Sequence, residues 1–149
     1  MKHKKIIFVC TGNTCRSPMA EAVLRAELKK RKIRWYTVQS AGIRAEEGGV
    51  MNPKSRQALT EAGIPFSESF SSRRLTPAMV EGAYAVICMT EGQRAAISGA
   101  NVTTMQDLCG KEILDPYGMD IDTYRFTLRT LLGCMPRVIA ALHLGEQTT

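Results

Sequence analysis

A cysteine and an arginine six residues apart frame the stretch of the sequence best suited to chemistry. Cys10 and Arg16 bound the segment Cys-Thr-Gly-Asn-Thr-Cys-Arg-Ser, which follows the apolar residues 6–9 and precedes a segment with helical spacing. A loop between a strand and a helix directs backbone N–H groups and the positive end of the helix dipole at one point, where phosphate-like anions bind. The same positive potential favours the thiolate of Cys10. The spacing therefore predicts a cysteine nucleophile that attacks phosphorus, while the planar guanidinium of Arg16 holds two phosphate oxygens.

The other residues of this segment are typical of a tight anion-binding loop. Gly12 and Asn13 tolerate the positive φ angles that such a turn needs. The Ser17 hydroxyl, close to the start of the helix, can hydrogen-bond the Cys10 sulfur. The whole segment is therefore predicted to bind a phosphoryl group, and its predicted phosphate-binding residues besides Arg16 are Thr11, Gly12, Asn13, Thr14, Cys15 and Ser17.

An aspartate further along the chain is the candidate for proton transfer. Attack by a thiolate needs a proton for the departing atom, and the water that hydrolyses the resulting phospho-cysteine needs a base. Asp115 begins the turn Asp-Pro-Tyr-Gly, which is stiff enough to hold a carboxyl toward the loop with an aromatic side chain beside it. Asp-Pro also starts many ordinary turns, so a purely structural Asp115 is the alternative. Asp120 and Asp122 are more typical of N-terminal helix caps.

Alternating strands and helices are predicted to position these groups. Strands are predicted at residues 6–9, 35–39, 84–89 and 102–105, and helices at 18–32, 54–61, 76–83 and 91–98, with a long helix after the loop at 110–122. The order strand, helix, strand is a right-handed crossover between parallel strands. We therefore predict one α/β domain over residues 1–149, with an open four-stranded parallel sheet, helices on both faces and the phosphate-binding loop after the first strand.

The last helix carries an apolar stripe on one face and a proline inside it. Pro136 removes one backbone hydrogen bond and is predicted to kink the helix. The residues predicted to share the apolar face are Tyr124, Leu128, Leu131, Leu132, Met135, Val138, Ile139 and Leu142.

Cysteine usage and the N-terminal sequence predict a cytoplasmic location. The chain of 149 residues has five cysteines, an odd number in no regular pattern. The apolar run after the basic start ends at Cys10, too short for a signal peptide or a membrane span. We therefore expect reduced thiols and no membrane association. Cys10 and Cys15 have a metal-like spacing but no second pair of ligands, so neither a metal nor another cofactor is predicted.

The basic character of the chain does not predict a nucleic-acid partner. The formal net charge is +6, and basic residues are dense between residues 25 and 34. These charges fall at the end of a predicted helix, where the dipole favours cations, and no aromatic side chains for base stacking accompany them. We expect no specific nucleic-acid binding, but positive charge that attracts phosphorylated partners. His3 and His143 are expected on the surface.

Four motifs together resemble the low-molecular-weight protein tyrosine phosphatases. They are Cys-Thr-Gly-Asn-Thr-Cys-Arg-Ser-Pro at 10–18, Ser-Ala-Gly at 40–42, Ser-Arg-Arg-Leu at 72–75 and Asp-Pro at 115–116. The resemblance implies phosphorylated protein substrates, a monomer and a phospho-cysteine intermediate on Cys10. It further implies that Arg16 holds the phosphate, Asn13 and Ser17 organise the loop, and Asp115 is general acid and then base. Cys15 would imply a reversible disulfide with Cys10 that protects the nucleophile from overoxidation.

The residue at position 14 indicates which subgroup of the family the chain resembles more. Tyrosine-directed members of the family usually have an aliphatic residue at this position, whereas Thr14 with an Asp-Pro-aromatic-Gly turn resembles the bacterial protein-arginine phosphatases. A phosphorylated guanidinium is polar and planar, so a hydroxyl-bearing wall and an acidic partner suit it. We therefore predict hydrolysis of phospho-arginine in proteins, with Thr14 and Tyr117 setting specificity. The alternatives are activity on phosphotyrosine or small aryl phosphates, and a Thr14 that only makes a local backbone bond.

Two other functions fit the loop less well. Thioredoxin-coupled arsenate reductases resemble this scaffold, but they need two further cysteines to pass a disulfide outward. Cys88 ends a central strand, yet Ala95 stands seven residues later where the partner is expected. A phosphate-sensing module without turnover is disfavoured because a nucleophile, an anion clamp and an acid are all present.

Overall fold

Four parallel strands form the central sheet of the structure, a computed structural model that describes residues 3–146. The strands are β1 (Lys4–Cys10), β2 (Tyr36–Gly42), β3 (Ala85–Cys88) and β4 (Val102–Thr104). They lie in the order β2-β1-β3-β4, and each neighbouring pair is parallel. The chain moves outward in opposite directions from β1 and β3, and ligands bind such sheets in the crevice at the carboxyl ends of these two strands.

Six helices cover the two faces of the sheet. They are α1 (Arg16–Lys30), α2 (Pro53–Glu61), α3 (Pro77–Glu81), α4 (Glu91–Ala95), α5 (Met105–Cys109) and α6 (Ile121–Ala141). Side chains alternate along β1, so Ile6 and Phe8 pack in the larger core with residues of α1, α2, α5 and α6. Ile7 and Val9 pack on the opposite face with residues of α3 and the neighbouring strands. The predicted fold class is confirmed.

Polar caps mark the helix starts that the sequence predicts most clearly. The side chains of Asn52 and Thr76 accept backbone N–H bonds, and a proline occupies the first turn of α2 and of α3. Asp120 caps α6 as predicted. The predicted cap at Asp122 is wrong, because this residue lies in the first turn of α6 and pairs with Arg125 at 2.8 Å.

Several element boundaries differ from the prediction; α4, for example, ends at Ala95 rather than at residue 98. The last strand ends at Thr104, because the Thr104 hydroxyl accepts the N–H of Asp107 and starts α5, a helix that the sequence analysis missed. Helix α1 begins at Arg16 rather than Pro18. Strand β2 extends through the predicted turn at 40–42, because Gly42 still pairs with Cys10 in the parallel ladder.

Helix α6 runs through Pro136, and most of its predicted apolar face is buried. Two predicted members of this face differ: Leu132 has 41% of its surface exposed, and Leu142 lies past the end of α6 and is only partly buried. The predicted kink at Pro136 stays a prediction. Within residues 3–146, we find no helix with both the length and the apolar character that a membrane crossing requires.

Candidate active site

Cys10 ends β1 and begins the loop that leads into α1. Its side chain is buried, and two groups contact its sulfur: the Asn13 N–H donates at 3.3 Å, and the Ser17 hydroxyl lies at 2.9 Å. The Ser17 oxygen already accepts a bond from the Asn13 side-chain amide at 2.9 Å, so its own hydrogen is free to point at the sulfur. Donors directed at a sulfur atom stabilise its thiolate form.

Asn13 is the residue that holds this loop together. It is fully buried with φ at 57°, in the left-handed region that asparagine tolerates better than most residues. Its side chain donates to Ser17 and accepts the N–H of Arg73 at 2.9 Å, so it joins the loop to the segment before α3. The positive φ predicted for Gly12 is wrong, because only Asn13 turns the described loop in that way.

The loop carbonyls point away from its centre. The carbonyls of Cys10 and Thr11 accept the N–H groups of Ile43 and Arg44 at 3.0 and 2.9 Å, and the Thr14 carbonyl accepts that of Asn52 at 2.9 Å. Within residues 3–146, several loop N–H groups donate to no protein acceptor, among them those of Gly12, Thr14, Cys15 and Arg16. Since these lie at the start of α1, they can bind an anion together with the helix dipole.

A glycine beside the loop permits its close approach to β2. A Cβ atom at Gly42 would lie 2.6 Å from the Thr11 carbonyl oxygen and 2.9 Å from the Asn13 nitrogen. Both neighbours are backbone atoms of the loop, and such distances are far below normal contact. The Ser-Ala-Gly motif was noted in the sequence, but only the structure shows that its glycine makes room for the loop.

Gln93 is a buried support of the loop that the sequence analysis missed. Its side-chain amide donates to the Thr11 hydroxyl at 3.3 Å, while its carbonyl oxygen accepts the N–H groups of Met89 and Thr90. Thr90 and Gln93 form a capping box at the start of α4. The Thr-x-x-Gln pattern is readable from sequence, but its contact with Thr11 depends on the fold.

Arg16 connects the loop to the segment that carries Asp115. Its guanidinium is buried and donates to the Ile113 carbonyl at 3.0 Å. A second nitrogen lies 3.6 Å from an Asp115 carboxylate oxygen, close enough for an ion pair but too far for a hydrogen bond. An arginine held on one edge keeps the other edge available for two phosphate oxygens.

Asp115 projects into a cleft above the loop. One carboxylate oxygen accepts the N–H of Tyr117 at 3.0 Å, which fixes the turn predicted from Asp-Pro-Tyr-Gly. The cleft measures about 230 Å³, and its walls are formed by Cys10, Thr11, Gly12, Thr14, Cys15, Arg16, Asp115 and Tyr117. Asn13 and Ser17, also predicted to bind phosphate, instead lie buried beneath the loop.

Thr14 stands on the wall of this cleft. In the part of the chain that the structure describes, its hydroxyl has one polar neighbour, the Cys15 sulfur at 3.9 Å. The alternative role predicted for Thr14 is a hydrogen bond to the local backbone, but within residues 3–146 its hydroxyl makes no such bond. A hydroxyl in this position can accept a hydrogen bond from a ligand in the cleft.

Cys15 lies against the core side of the loop. The Tyr124 hydroxyl approaches its sulfur to 3.4 Å, although burial outweighs this contact and raises the pKa of Cys15. The pKa of Tyr124 is also raised, chiefly by burial. Both Cys10 and Cys15 are free thiols, so the disulfide implied by the family resemblance stays a prediction.

The remaining cysteines lie in the core. Cys88, Cys109 and Cys134 are buried free thiols. Burial raises the pKa of Cys88 to about 12, which disfavours the thiolate that disulfide exchange requires. An arsenate reductase passes a disulfide from the active site to a cysteine at the surface. Among residues 3–146, no cysteine is exposed for that role.

A comparison with protein families identifies the scaffold. Residues 5–145 match the model of the low molecular weight phosphotyrosine protein phosphatase family. The match includes the phosphate-binding loop, the helices that support it and the Asp115 turn.

Individual relatives fall into two named groups. A protein-arginine-phosphatase from Bacillus subtilis (strain 168) is 37% identical over 131 residues, which cover 82% of this chain and 85% of that protein. The low molecular weight protein-tyrosine-phosphatase PtpB of Staphylococcus haemolyticus is 33% identical over 135 residues, covering 86% and 92% of the two chains. A solved YwlE arginine phosphatase, a cysteine-to-serine mutant with a phosphorylated active-site serine, superposes with a TM-score of 0.85 at 33% identity, covering 93% and 95%.

Proposed function

The chain belongs to the low molecular weight phosphotyrosine protein phosphatase family, and on this premise we propose that it hydrolyses phospho-arginine in proteins through a phospho-cysteine intermediate. The observation that carries the proposal is the single cleft lined by Cys10, Arg16 and Asp115. It brings a nucleophile, a phosphate-holding cation and a proton donor to one place.

The first step transfers the phosphoryl group to the enzyme. The Cys10 thiolate attacks phosphorus, while Arg16 and the loop N–H groups hold the non-bridging oxygens, on which negative charge is concentrated. The P–N bond to the arginine side chain breaks as the S–P bond forms. Asp115 donates its proton to the departing nitrogen, so the guanidine leaves protonated.

The second step returns the enzyme to its starting state. The Asp115 carboxylate formed in the first step accepts a proton from a water molecule, whose oxygen attacks phosphorus. The S–P bond breaks, inorganic phosphate leaves and Cys10 is again a thiolate. Asp115 thus acts as acid and then as base within one cycle, with no cofactor required.

Two kinds of comparison support this chemistry. Relatives at 37% and 35% identity are named protein-arginine-phosphatases. The solved YwlE mutant carries a phosphate on the serine that replaces its active-site cysteine. Phosphorylation of a residue at that point is what a covalent mechanism requires.

The polar wall of the cleft supports phospho-arginine as the substrate. The Thr14 hydroxyl can accept a hydrogen bond from a guanidinium N–H, and the Asp115 carboxyl lines the same cleft. Phosphotyrosine is the second candidate, because Tyr117, 70% exposed at the rim, offers an aromatic surface for stacking and PtpB is a close relative in sequence.

The test is kcat/KM on a phospho-arginine protein and on a phosphotyrosine peptide, measured side by side at neutral pH. We expect a preference for phospho-arginine of about 100-fold or more, equivalent to about 2.7 kcal/mol of transition-state discrimination. The reverse preference would make this chain a tyrosine phosphatase with the same loop chemistry.

The variant Thr14→Ile tests the origin of the preference. It removes the hydroxyl and is expected to lower the phospho-arginine to phosphotyrosine ratio by about tenfold or more. Thr14→Ser keeps the hydroxyl and is the matched control, expected to keep the preference. An unchanged ratio in Thr14→Ile would refute the assignment of specificity to this side chain.

We further propose a cytoplasmic, monomeric, single-domain enzyme spanning residues 1–149. All five cysteines are free thiols, as a reducing compartment would maintain them. The expected substrates are phosphorylated proteins rather than nucleic acids. Cell fractionation with an antibody to the chain tests the location, and the native mass tests the monomer.

A further inference from the structure

A second cleft lies on the far side of the Asp115 segment. It measures about 360 Å³ and runs between the segment 110–115 and the exposed side of α6. We call it the α6 groove and define it by Ile113, Leu114, Thr123, Phe126, Thr127 and Thr130, which are among its lining residues.

Most of the exposed surface that lines the α6 groove is apolar, although Gln106, Lys111 and Glu112 also line it. Leu114 and Phe126 are 76% and 61% exposed and flank the same cleft, while Ile113 is buried. Scattered exposed apolar residues are normal, but two facing one cleft mark a place where apolar groups can bind. Burying apolar surface there would release water from both partners.

Three threonines line the helix side of the groove, but their hydroxyl hydrogens are already used. Thr127 and Thr130 donate to the carbonyls four residues earlier in α6, at 2.9 and 3.0 Å. Thr123 donates to the Asp120 carboxylate at 2.8 Å. These hydroxyls therefore do not require a polar ligand, and the groove can accept an apolar one.

The α6 groove adjoins the catalytic cleft, because Asp115 lines both. A polypeptide whose phosphorylated side chain enters the catalytic cleft therefore has the groove immediately beyond Asp115. Since the two clefts share Asp115, residues flanking the phosphorylated one can reach the groove without leaving the surface around the catalytic cleft.

We propose that the α6 groove binds an apolar side chain of the substrate protein, located close in sequence to the phosphorylated residue. The proposal rests on the proposed phosphatase function. It adds that the enzyme prefers phosphorylated residues that have an apolar residue close by in the sequence. Leu114 and Phe126 supply the contact surface, and an apolar neighbour of the phosphorylated residue lowers KM by reducing the free energy of binding.

The experiment uses phospho-arginine peptides in which one leucine is moved through the flanking positions of an otherwise serine-rich sequence. We expect one or two positions to raise kcat/KM about tenfold over the all-serine peptide, an effect typical of burying one apolar side chain. Phe126→Ser is expected to abolish this gain, whereas Phe126→Leu keeps it. Hydrolysis of free phospho-arginine should be unaffected by either change.

Leu132→Ser is the matched control, because Leu132 is an exposed apolar residue of the same helix outside the groove. It is expected to keep the leucine gain. If no leucine position helps the wild-type enzyme, or if Phe126→Ser keeps the gain, the groove proposal is overturned. Absence of wild-type activity on free phospho-arginine and on all peptides would instead refute the proposed function.

A measurement of native mass on the same proteins tests self-association through the groove. If the native mass doubles with rising protein concentration, Phe126→Ser prevents the doubling and leucine gives no gain, the groove joins two copies of the chain. That result would also overturn the substrate proposal.

Discussion

The two sides of the catalytic cleft are built differently. The phosphate loop is buried except at Thr11, Gly12 and, in part, Thr14. Its side chains and carbonyls are fixed by bonds to four other parts of the chain, through Ile43, Asn52, Arg73 and Gln93. The Asp115 segment is exposed, and the carboxylate that faces the loop keeps 53% of its side-chain surface in solvent. Its links to the rest of the protein include the Arg16 bond to Ile113 and the Lys54 bond to the Met119 carbonyl.

This difference separates binding from proton transfer. The donors of the loop are held in place before an anion arrives, so the loop loses little conformational freedom on binding. Its hydrogen bonds therefore contribute almost fully to the free energy of anion binding. A segment with few contacts can move, which lets a bulky phosphorylated side chain enter and leave. We expect changes in the residues that support the loop to affect structure and chemistry together, and changes in the Asp115 segment to affect chemistry alone.

The largest expected effect comes from Cys10→Ser. Loss of the thiolate should lower kcat by roughly ten-thousandfold or more, since the nucleophile is removed. Binding of inorganic phosphate, measured by calorimetry, should stay within a few-fold of wild type because the loop N–H groups and Arg16 remain. An active Cys10→Ser protein would overturn the mechanism, and Cys134→Ala serves as the control for loss of an unrelated buried thiol.

Asp115→Asn should produce the next largest effect. Removing a general acid and base typically lowers the rate by about 10²–10⁴-fold. The loss should be smaller for an aryl phosphate whose leaving group needs no proton, and the thermal midpoint should not fall. Asp122→Asn removes an exposed carboxylate of the same region and is expected to be nearly silent. Equal losses in the two variants would mean that charge, rather than proton transfer, is what Asp115 supplies.

Gly42→Ala tests the rigidity of the loop through its neighbour. The added methyl group would collide with the Thr11 and Asn13 backbone, so we expect a loss of stability of about 1–3 kcal/mol in urea unfolding and weaker phosphate binding. If Gly42→Ala is as stable and as active as wild type, the loop is more adaptable than its contacts indicate.

Gly133→Ala is the control and has the smallest expected effect. A methyl group there meets nothing within 4 Å on the exposed side of α6. Because alanine favours helix over glycine, we expect a gain in stability of about 0.5–1 kcal/mol with unchanged activity. Destabilisation by this change would show that α6 is strained at this point.

The same contrast explains how far the sequence could be interpreted. The β1–loop–α1 unit is local, so Cys10, Arg16 and Asn13 follow from one short motif, and the parallel sheet follows from the alternation of strands and helices. The supports of the loop are distant in sequence. Nothing in the local pattern around Gln93, Gly42 or Tyr124 shows which part of the chain each one contacts.

Boundaries were less predictable where one residue serves two elements. Thr104 ends β4 and caps α5, and the β-branched residues 102–104 favour a strand up to the residue that starts the helix. Leu132 has the hydrophobicity and approximate spacing of its buried neighbours, yet it lies at the edge of the stripe. The spacing of apolar residues predicts which side of a helix is buried more reliably than it predicts how wide the buried stripe is.

Arg16 has a thermodynamic consequence beyond holding phosphate. Its guanidinium donates to the Ile113 carbonyl and lies near Asp115. An anion that binds Arg16 therefore also changes how strongly Arg16 holds the segment that carries Asp115. Phosphate binding and the position of that segment are therefore linked, and such linkage is reciprocal. If phosphate favours one position of the segment by some factor, then any contact that favours the same position tightens phosphate binding by that factor.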